Sequence, residues 1–374
     1  ARPLPCPAPL RQPHQLSSRL VLPPGKRLHP PELRQSYEDL LMAGSRRKSL
    51  AQTKNGHPGG GHQTSGQPER SDRLFDPALQ LARGCCAHLG GGQVKGDTIE
   101  CPYHAWRFGP DGKCDDIPYH SGPIPAAACV KSWTVVESLG AIFVWHDPEG
   151  GEPEWNHPSL PQFDDKSWVR GHWDHLGVLN QHPQEVIDNI ADYGHLGPIH
   201  GSTVDRFEVE FKNHTVTQRQ CGGHRTLTSA DGTGAVLHTD TTYHGPGVLI
   251  SYLTGMFETI LLIMHTPIDD GSIKVWHSLI VKSPFGNSEV NTADLVAARQ
   301  YQESSRLAFA QDFEVWTNKA PCLNGLFIPS DGPFMKVRVW YKQFYNPRAM
   351  KQEFVEQCDG MYVPKGAVPY TQTA

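Results

Sequence analysis

The sequence predicts an α+β protein of two domains. A small β unit spans about 72–150, and a larger unit combining strands with a long helix spans about 151–350. Short strand-like segments with glycine-rich turns surround Cys86-Ala87-His88 and Cys101-Pro102-Tyr103-His104. Two apolar β-type stretches fill Val248 to Met264, and a helical run extends from Ala293 to Ala310. At 374 residues the chain is long enough for two domains with a sizeable core. Its net charge of −5 offers no support for nucleic-acid binding. Val248 to Met264 is interrupted by Ser251, Thr254, Glu258 and Thr259, so it reads as two strands and not as a membrane span. Nine scattered cysteines suit a reducing compartment, and a cytoplasmic location is expected.

Residues 1–71 differ from the rest. The first seventy carry eleven Lys and Arg against four Asp and Glu, a charge of +7 set against −12 for the remainder. Eleven prolines and the run His57-Pro58-Gly59-Gly60-Gly61-His62 argue against a packed core there, and only Glu32 to Ala43 has helical character. Three readings stand side by side: an organellar targeting segment, a disordered basic arm, or sequence that is not authentic coding sequence. Strands are expected on both sides of the Cys-His pairs. Upstream, only Arg73 to Leu81 qualifies, weakened by Pro77, so the N-terminal part of the small domain reads as depleted.

The two Cys-His pairs are separated by twelve residues. Two thiolates on one iron and two imidazoles on the other are what a [2Fe–2S] cluster of the Rieske type needs, with Cys86, His88, Cys101 and His104 as ligands. A structural zinc site is the alternative, but zinc ribbons favour a CxxC or HxxxH knuckle at each end. Cys85 competes with Cys86, yet only Cys86 leaves one residue before the histidine. Leu89-Gly90-Gly91-Gly92 supplies a loop that can wrap closely, and Ala105-Trp106-Arg107-Phe108 reads as a strand with aromatic cover.

Downstream, Pro183-Gln184-Glu185-Val186-Ile187-Asp188 starts a helix, with proline and acid in its first turn. Asp192 and His195 are three apart and are expected to share a helical face. Gly197-Pro198 is expected to stop that helix, turning His200 back toward His195. On an unbroken helix the two histidines would diverge by about 140°. Two imidazoles and one carboxylate on a face of the metal form a mononuclear non-haem Fe(II) site. The carboxylate expected is Asp312, on a long helix, with Glu314 as the competing choice. Pro153, Pro158 and Pro161 mark the junction between the domains, and 351–374 reads as a C-terminal tail.

Together, CxH…CxxH and NxxDxxHxxxxH (Asn189, Asp192, His195, His200) make the chain resemble the oxygenase (alpha) component of Rieske non-haem iron oxygenases over roughly 80–345. Three segments are most similar to the oxygenase of 3-ketosteroid 9α-hydroxylase and to cholesterol 7-desaturases: Gln184 to Asp192, Asp312 to Lys319, and Val339 to Tyr345. The resemblance implies an all-β Rieske domain followed by a curved antiparallel sheet gripping long helices, with electrons passing from the cluster to the mononuclear iron of a neighbouring subunit in a homotrimer. It implies that Asp192 links His104 or His88 to His195 across that interface, with Asn189 supporting the iron ligands. Gly91 and Tyr103 stand where the respiratory type carries extra cysteines, so that type is disfavoured. Neither Gly59–Gly61 nor Gly90–Gly92 follows a strand and opens a helix, so no dinucleotide site is expected. Electrons are then expected from NAD(P)H through a separate ferredoxin or flavin reductase. The implied reaction uses O₂ to hydroxylate or desaturate a hydrophobic, steroid-like substrate, which strands such as Thr259 to Met264 would line. The alternatives are an aromatic or other small substrate, or a degenerate homologue without a cluster.

Overall fold

A small and a large antiparallel sheet, with a separate two-stranded hairpin, organise the described residues. A computed structural model describes residues 89–371, apart from Lys131, Pro148, 225–226, 229–235, Asp270 and 321–324. The described residues belong to one compact unit. Cys86, His88, the strand expected at Arg73 to Leu81 and the helix expected at Glu32 to Ala43 lie outside them.

Among the described residues the small sheet has four strands in sequential order: β1 (Gln93–Lys95), β2 (Thr98–Glu100), β3 (Arg107–Phe108) and β4 (Cys114–Asp116). Leu89, Cys101, Phe108, Cys114 and Ile117 form its core, with Trp106 and Val130 packed alongside. A hairpin of β5 (Val135–Ser138) and β6 (Ala141–Val144) follows, and its Leu139, Ala141 and Phe143 pack on the outer face of the large sheet.

Among the described residues the large sheet has nine strands. β7 (Trp168–Arg170) and β8 (Asp174–Leu179) both pair with one late strand, and two short helices come next, α1 (Pro183–Ile187) and α2 (Leu196–His200). The meander β9 (Arg206–Lys212), β10 (Thr215–Gly222), β11 (Leu237–His244), β12 (Val248–Thr254), β13 (Thr259–Asp269) and β14 (Ser272–Lys282) then runs across the sheet. The long helix α3 (Thr292–Asn318) lies on its inner face, followed by α4 (Phe334–Lys342) and α5 (Lys351–Cys358). β15 (Gly360–Tyr362) closes the far edge against β9. The fold is α+β, as expected. Val248 to Met264 does divide into two strands, β12 and most of β13.

α3 begins where its chemistry dictates. The Asn291 side chain accepts the N–H groups of Ala293 and Asp294, and the Asp294 carboxylate accepts the Asn291 N–H, a reciprocal cap. The helix is held to the sheet by His277, whose ring lies 3.1 Å from Ser305 Oγ and 3.2 Å from Asp174 Oδ2. One register row crosses six strands on this inner face: Val216, Tyr243, Leu249, Ile263, His277 and Asp174. Thr259 to Met264 therefore divides between two faces. Leu261 and Ile263 turn toward α3, while Ile260, Leu262 and Met264 turn toward the β5–β6 hairpin. Among the described residues no helix is long and apolar enough to cross a membrane.

Candidate metal centres

The second Cys-His pair sits in the turn joining β2 to β3. Cys101 N–H donates to the Trp106 carbonyl at 2.8 Å, and the Cys101 carbonyl accepts Ala105 N–H at 3.0 Å. Closing this loop places Ala105 in the left-handed region at φ 58°. Cys101 is buried and His104 is exposed, so this pair presents its thiol inward and its imidazole at the surface. The glycine loop before β1 presses against this turn. A Cβ on Gly92 would meet the Glu100 carbonyl oxygen at 2.2 Å, which only glycine avoids, and one on Gly91 would touch the Pro102 ring at 3.7 Å. The chain leading from the first pair is thereby drawn beside the second. The Trp106 indole N–H donates to the Tyr119 hydroxyl at 2.7 Å, which fixes the aromatic cover.

The second constellation is built differently from the expectation. α1 starts as the sequence suggests: Pro183 occupies its first turn, and the His182 ring accepts Gln184 N–H at 3.1 Å. The helix does not run on to His195. It narrows to a 3₁₀ turn over Asp188–Ala191 and ends at Asp192, whose ψ of 95° is extended. Gly197-Pro198 lies inside α2 rather than ending a helix, because proline in a first turn forfeits no helical hydrogen bond. His195 caps α2 and His200 closes it, before Gly201 at φ 62° turns the chain away. The His195 ring is therefore set by its cap contacts rather than by helical periodicity. Its Nδ1 lies 2.6 Å from the Asp192 main-chain carbonyl oxygen, and its backbone N–H donates to Asp192 Oδ1 at 3.1 Å.

His195, His200 and Asp312 come together. One ligand atom from each lies within 4.8 Å of the others, with His200 Nε2 3.4 Å from Asp312 Oδ1 and the two imidazole centroids 5.2 Å apart. His200 and Asp312 are buried. His200 Nδ1 faces Gln311 Oε1 at 3.1 Å, so in both histidines Nδ1 faces a protein oxygen and Nε2 is left for a metal. Two neutral imidazoles and a carboxylate, oriented from behind, fit a non-haem iron ion. Asp312 lies within α3, and Glu314 points to solvent. Asn189 accepts the Asp192 N–H through its main-chain carbonyl at 3.2 Å.

Three neighbours were not singled out by sequence pattern. Gln311 adjoins Asp312 in the chain, and that adjacency was the available signal. His224, two residues beyond β10, stacks on His200 with ring centroids 5.6 Å apart. Tyr243 enters from β11; burial pushes its hydroxyl up, and the charge of Asp312 adds to the effect. Behind the site, Arg338 of α4 donates to Asp188 Oδ2 at 3.1 and 2.6 Å, and Lys319 meets Glu185 at 2.7 Å. These ion pairs tie the histidine-bearing segment to α4 and to the end of α3.

Residues 76–134 match the Rieske [2Fe-2S] domain model, and residues 144–345 match the 3-ketosteroid 9α-hydroxylase C-terminal domain model. The chain is a Rieske oxygenase alpha component. It is 36% identical to a 3-ketosteroid-9-alpha-monooxygenase oxygenase component of Rhodococcus rhodochrous, over 71% of this chain and 72% of the relative. The corresponding protein of Mycobacterium tuberculosis is 33% identical over 75% of each chain. A cholesterol 7-desaturase of Xenopus laevis is 28% identical, over 76% of this chain and 67% of the relative. The fold is shared with the QL mutant of the Pseudomonas putida CBB5 protein NdmA solved with theobromine, at TM-score 0.55 and 17% identity, covering 78% of this chain and 85% of that one. This Rieske oxygenase thus pairs a cluster domain with a steroid-hydroxylase type of C-terminal domain.

Proposed function

We propose that this Rieske oxygenase uses O₂ and externally supplied electrons to hydroxylate or desaturate a steroid-like substrate. The convergence of His195, His200 and Asp312 within 4.8 Å carries the reading. The match of the catalytic half to the steroid-hydroxylase domain supports the substrate class, as do relatives named for 3-ketosteroids and cholesterol. Cys86, His88, Cys101 and His104 would hold the [2Fe–2S] cluster, and His195, His200 and Asp312 the mononuclear iron. When bound, these metals supply one-electron transfer and O₂ activation.

The chain's own residues supply placement. The Asp192 carbonyl and Gln311 hold each imidazole in the tautomer that leaves Nε2 for the metal. The apolar inner face, with Leu249, Leu261, Ile263 and Val275, excludes water and suits a flat hydrophobic ligand. The exposed His104 offers an electron exit toward a second copy of the chain, where the partly exposed Asp192 would receive it beside His195. This arrangement calls for a homotrimer and a separate NAD(P)H-linked ferredoxin or flavin reductase.

The test is turnover of the reconstituted full-length chain with a surrogate reductase on a panel of steroids and small aromatics. A steroid product heavier by one oxygen or lighter by two hydrogens is expected. Asp312→Ala should lose the mononuclear iron and this product while keeping the cluster signal, whereas Glu314→Ala should keep all three. Oxidation of aromatics with no steroid product would refute the steroid reading.

A further inference from the structure

The inner face of the large sheet carries a polar side chain that the metal centre leaves unused. His265 on β13 is 4% exposed, and neither of its ring nitrogens has a hydrogen-bond partner among the described residues. Buried polar groups in folded proteins are almost always partnered, so an imidazole orphaned at both nitrogens calls for an explanation.

Its position supplies one. His265 follows Ile263 by two residues and so shares the face toward α3, and it pairs in register with Val275. Its ring centroid is 5.8 Å from that of Tyr243, the residue whose hydroxyl feels the charge of Asp312. His265 therefore neighbours a residue that lies within electrostatic reach of Asp312, the proposed iron ligand. On another flank stands Gly247, whose carbonyl accepts the His265 N–H at 2.9 Å. A Cβ there would strike the His265 carbonyl oxygen at 2.6 Å and lie 3.8 Å from Nδ1, so no side chain covers that flank from this position. Burial pulls the imidazole down to about 4, which keeps it neutral, with one N–H to donate and one bare nitrogen to accept.

We propose that His265 is the hydrogen-bonding anchor of the substrate pocket, holding one uncharged oxygen function, a hydroxyl or a carbonyl, of an otherwise apolar substrate. A carboxylate or an ammonium is excluded by the surroundings, because Leu249, Ile263 and Val275 offer a buried charge no compensation. A neutral imidazole serves either permitted group: the N–H donates to a carbonyl, and either nitrogen pairs with a hydroxyl. Anchoring one end of a rigid ligand here fixes which carbon lies over the metal ligands. The inference rests on the steroid reading for the size and shape of the ligand and goes beyond it by naming the group that is held.

The test is equilibrium dialysis of the reconstituted full-length protein, wild type, His265→Leu and His265→Gln, under anaerobic conditions. The ligands are 5α-androstane, 5α-androstan-3-one and 5α-androstan-3β-ol, with naphthalene and 2-naphthol as a non-steroid pair. Wild type should hold the oxygenated androstanes about tenfold more tightly than the hydrocarbon, the scale of one hydrogen bond to a buried site. His265→Leu should shrink that ratio to about twofold or less, with the hydrocarbon bound at least as well as before, and His265→Gln should restore most of it. Unliganded His265→Leu should melt no lower than wild type, since an unpartnered polar group has been replaced by an apolar one. An unchanged ratio in His265→Leu overturns the proposal. So does an equal loss of affinity for hydrocarbon and ketone together with a lower melting temperature, which marks a structural role. If wild type binds no androstane, the steroid reading fails; the naphthol-to-naphthalene ratio, judged in the same way, then decides the anchor. No preference for oxygen in wild type with either set also overturns it.

Discussion

The contacts of His195 divide one residue's work between two parts of Asp192. The main-chain carbonyl of Asp192 meets the imidazole Nδ1 at 2.6 Å, whereas its carboxylate lies 3.7 Å from the same nitrogen and caps the His195 backbone N–H. Tautomer and ring orientation thus depend on the backbone, which no substitution removes. The carboxylate is left partly exposed, at 27%, as the electron route proposed above requires. Asp192→Ala is therefore expected to retain mononuclear iron and cluster, measured as iron content and as the EPR signal of the reduced protein, yet to lose nearly all turnover. Turnover near the wild-type rate would remove Asp192 from the electron route. Loss of mononuclear iron would mean that the carboxylate, and not the carbonyl, orients the ring.

Between elements, the decisive contact is the buried pair of Arg338 and Asp188. It joins α4 to the 3₁₀ turn that precedes the histidines, and both side chains are nearly inaccessible. Arg338→Met would leave the Asp188 carboxyl without its counter-charge in a site where Glu185 is also close to the guanidinium, at 3.8 Å. The expected cost is about 3–5 kcal/mol, read as a lower denaturation midpoint at unchanged m-value, with much of it recovered by adding Asp188→Asn. An unchanged midpoint would show that other contacts hold the turn. How much of this was legible in sequence follows the range of each signal. Ala293 to Ala310 announced the long helix, and the Val248 to Met264 pattern announced two strands, because periodicity is local. The position of the helix break was not legible, since Gly197-Pro198 satisfies both a helix stop and a first turn. The metal ligands were legible as residue types at a spacing. Tyr243 and His224 were not, because sheet register carries the one to the site and the loop beyond a strand carries the other. Thr259 to Met264 is also buried on both faces, so no alternation of polarity revealed which residues turn inward.

At the scale of the whole molecule, two buried groups contribute to the pH dependence of stability with opposite sign. Burial holds the His265 imidazole down at about 4, against an ordinary value of 6.5. Between those values the unfolded chain takes up a proton that the native protein refuses, so native stability falls as pH drops through 6.5 and is lowest below about 4. The full gap is worth on the order of 3 kcal/mol. Burial pushes the Asp188 carboxyl up, to about 6 from 3.8, with Arg338 working against that rise. There the native protein holds a proton that the unfolded chain releases, so stability increases as pH drops through 6 toward 3.8. The two windows overlap, and a profile of wild type alone understates each. The difference between wild type and His265→Leu separates them, because the Asp188 contribution is common to both. Stability from denaturant unfolding at pH 7.5, 6.5, 5.5 and 4.5, at fixed metal content, should show His265→Leu gaining on wild type steadily below pH 6.5. Parallel profiles would mean that the His265 imidazole takes up its proton as readily in the native protein as in the unfolded chain, and hence that it has a polar partner or water at its ring.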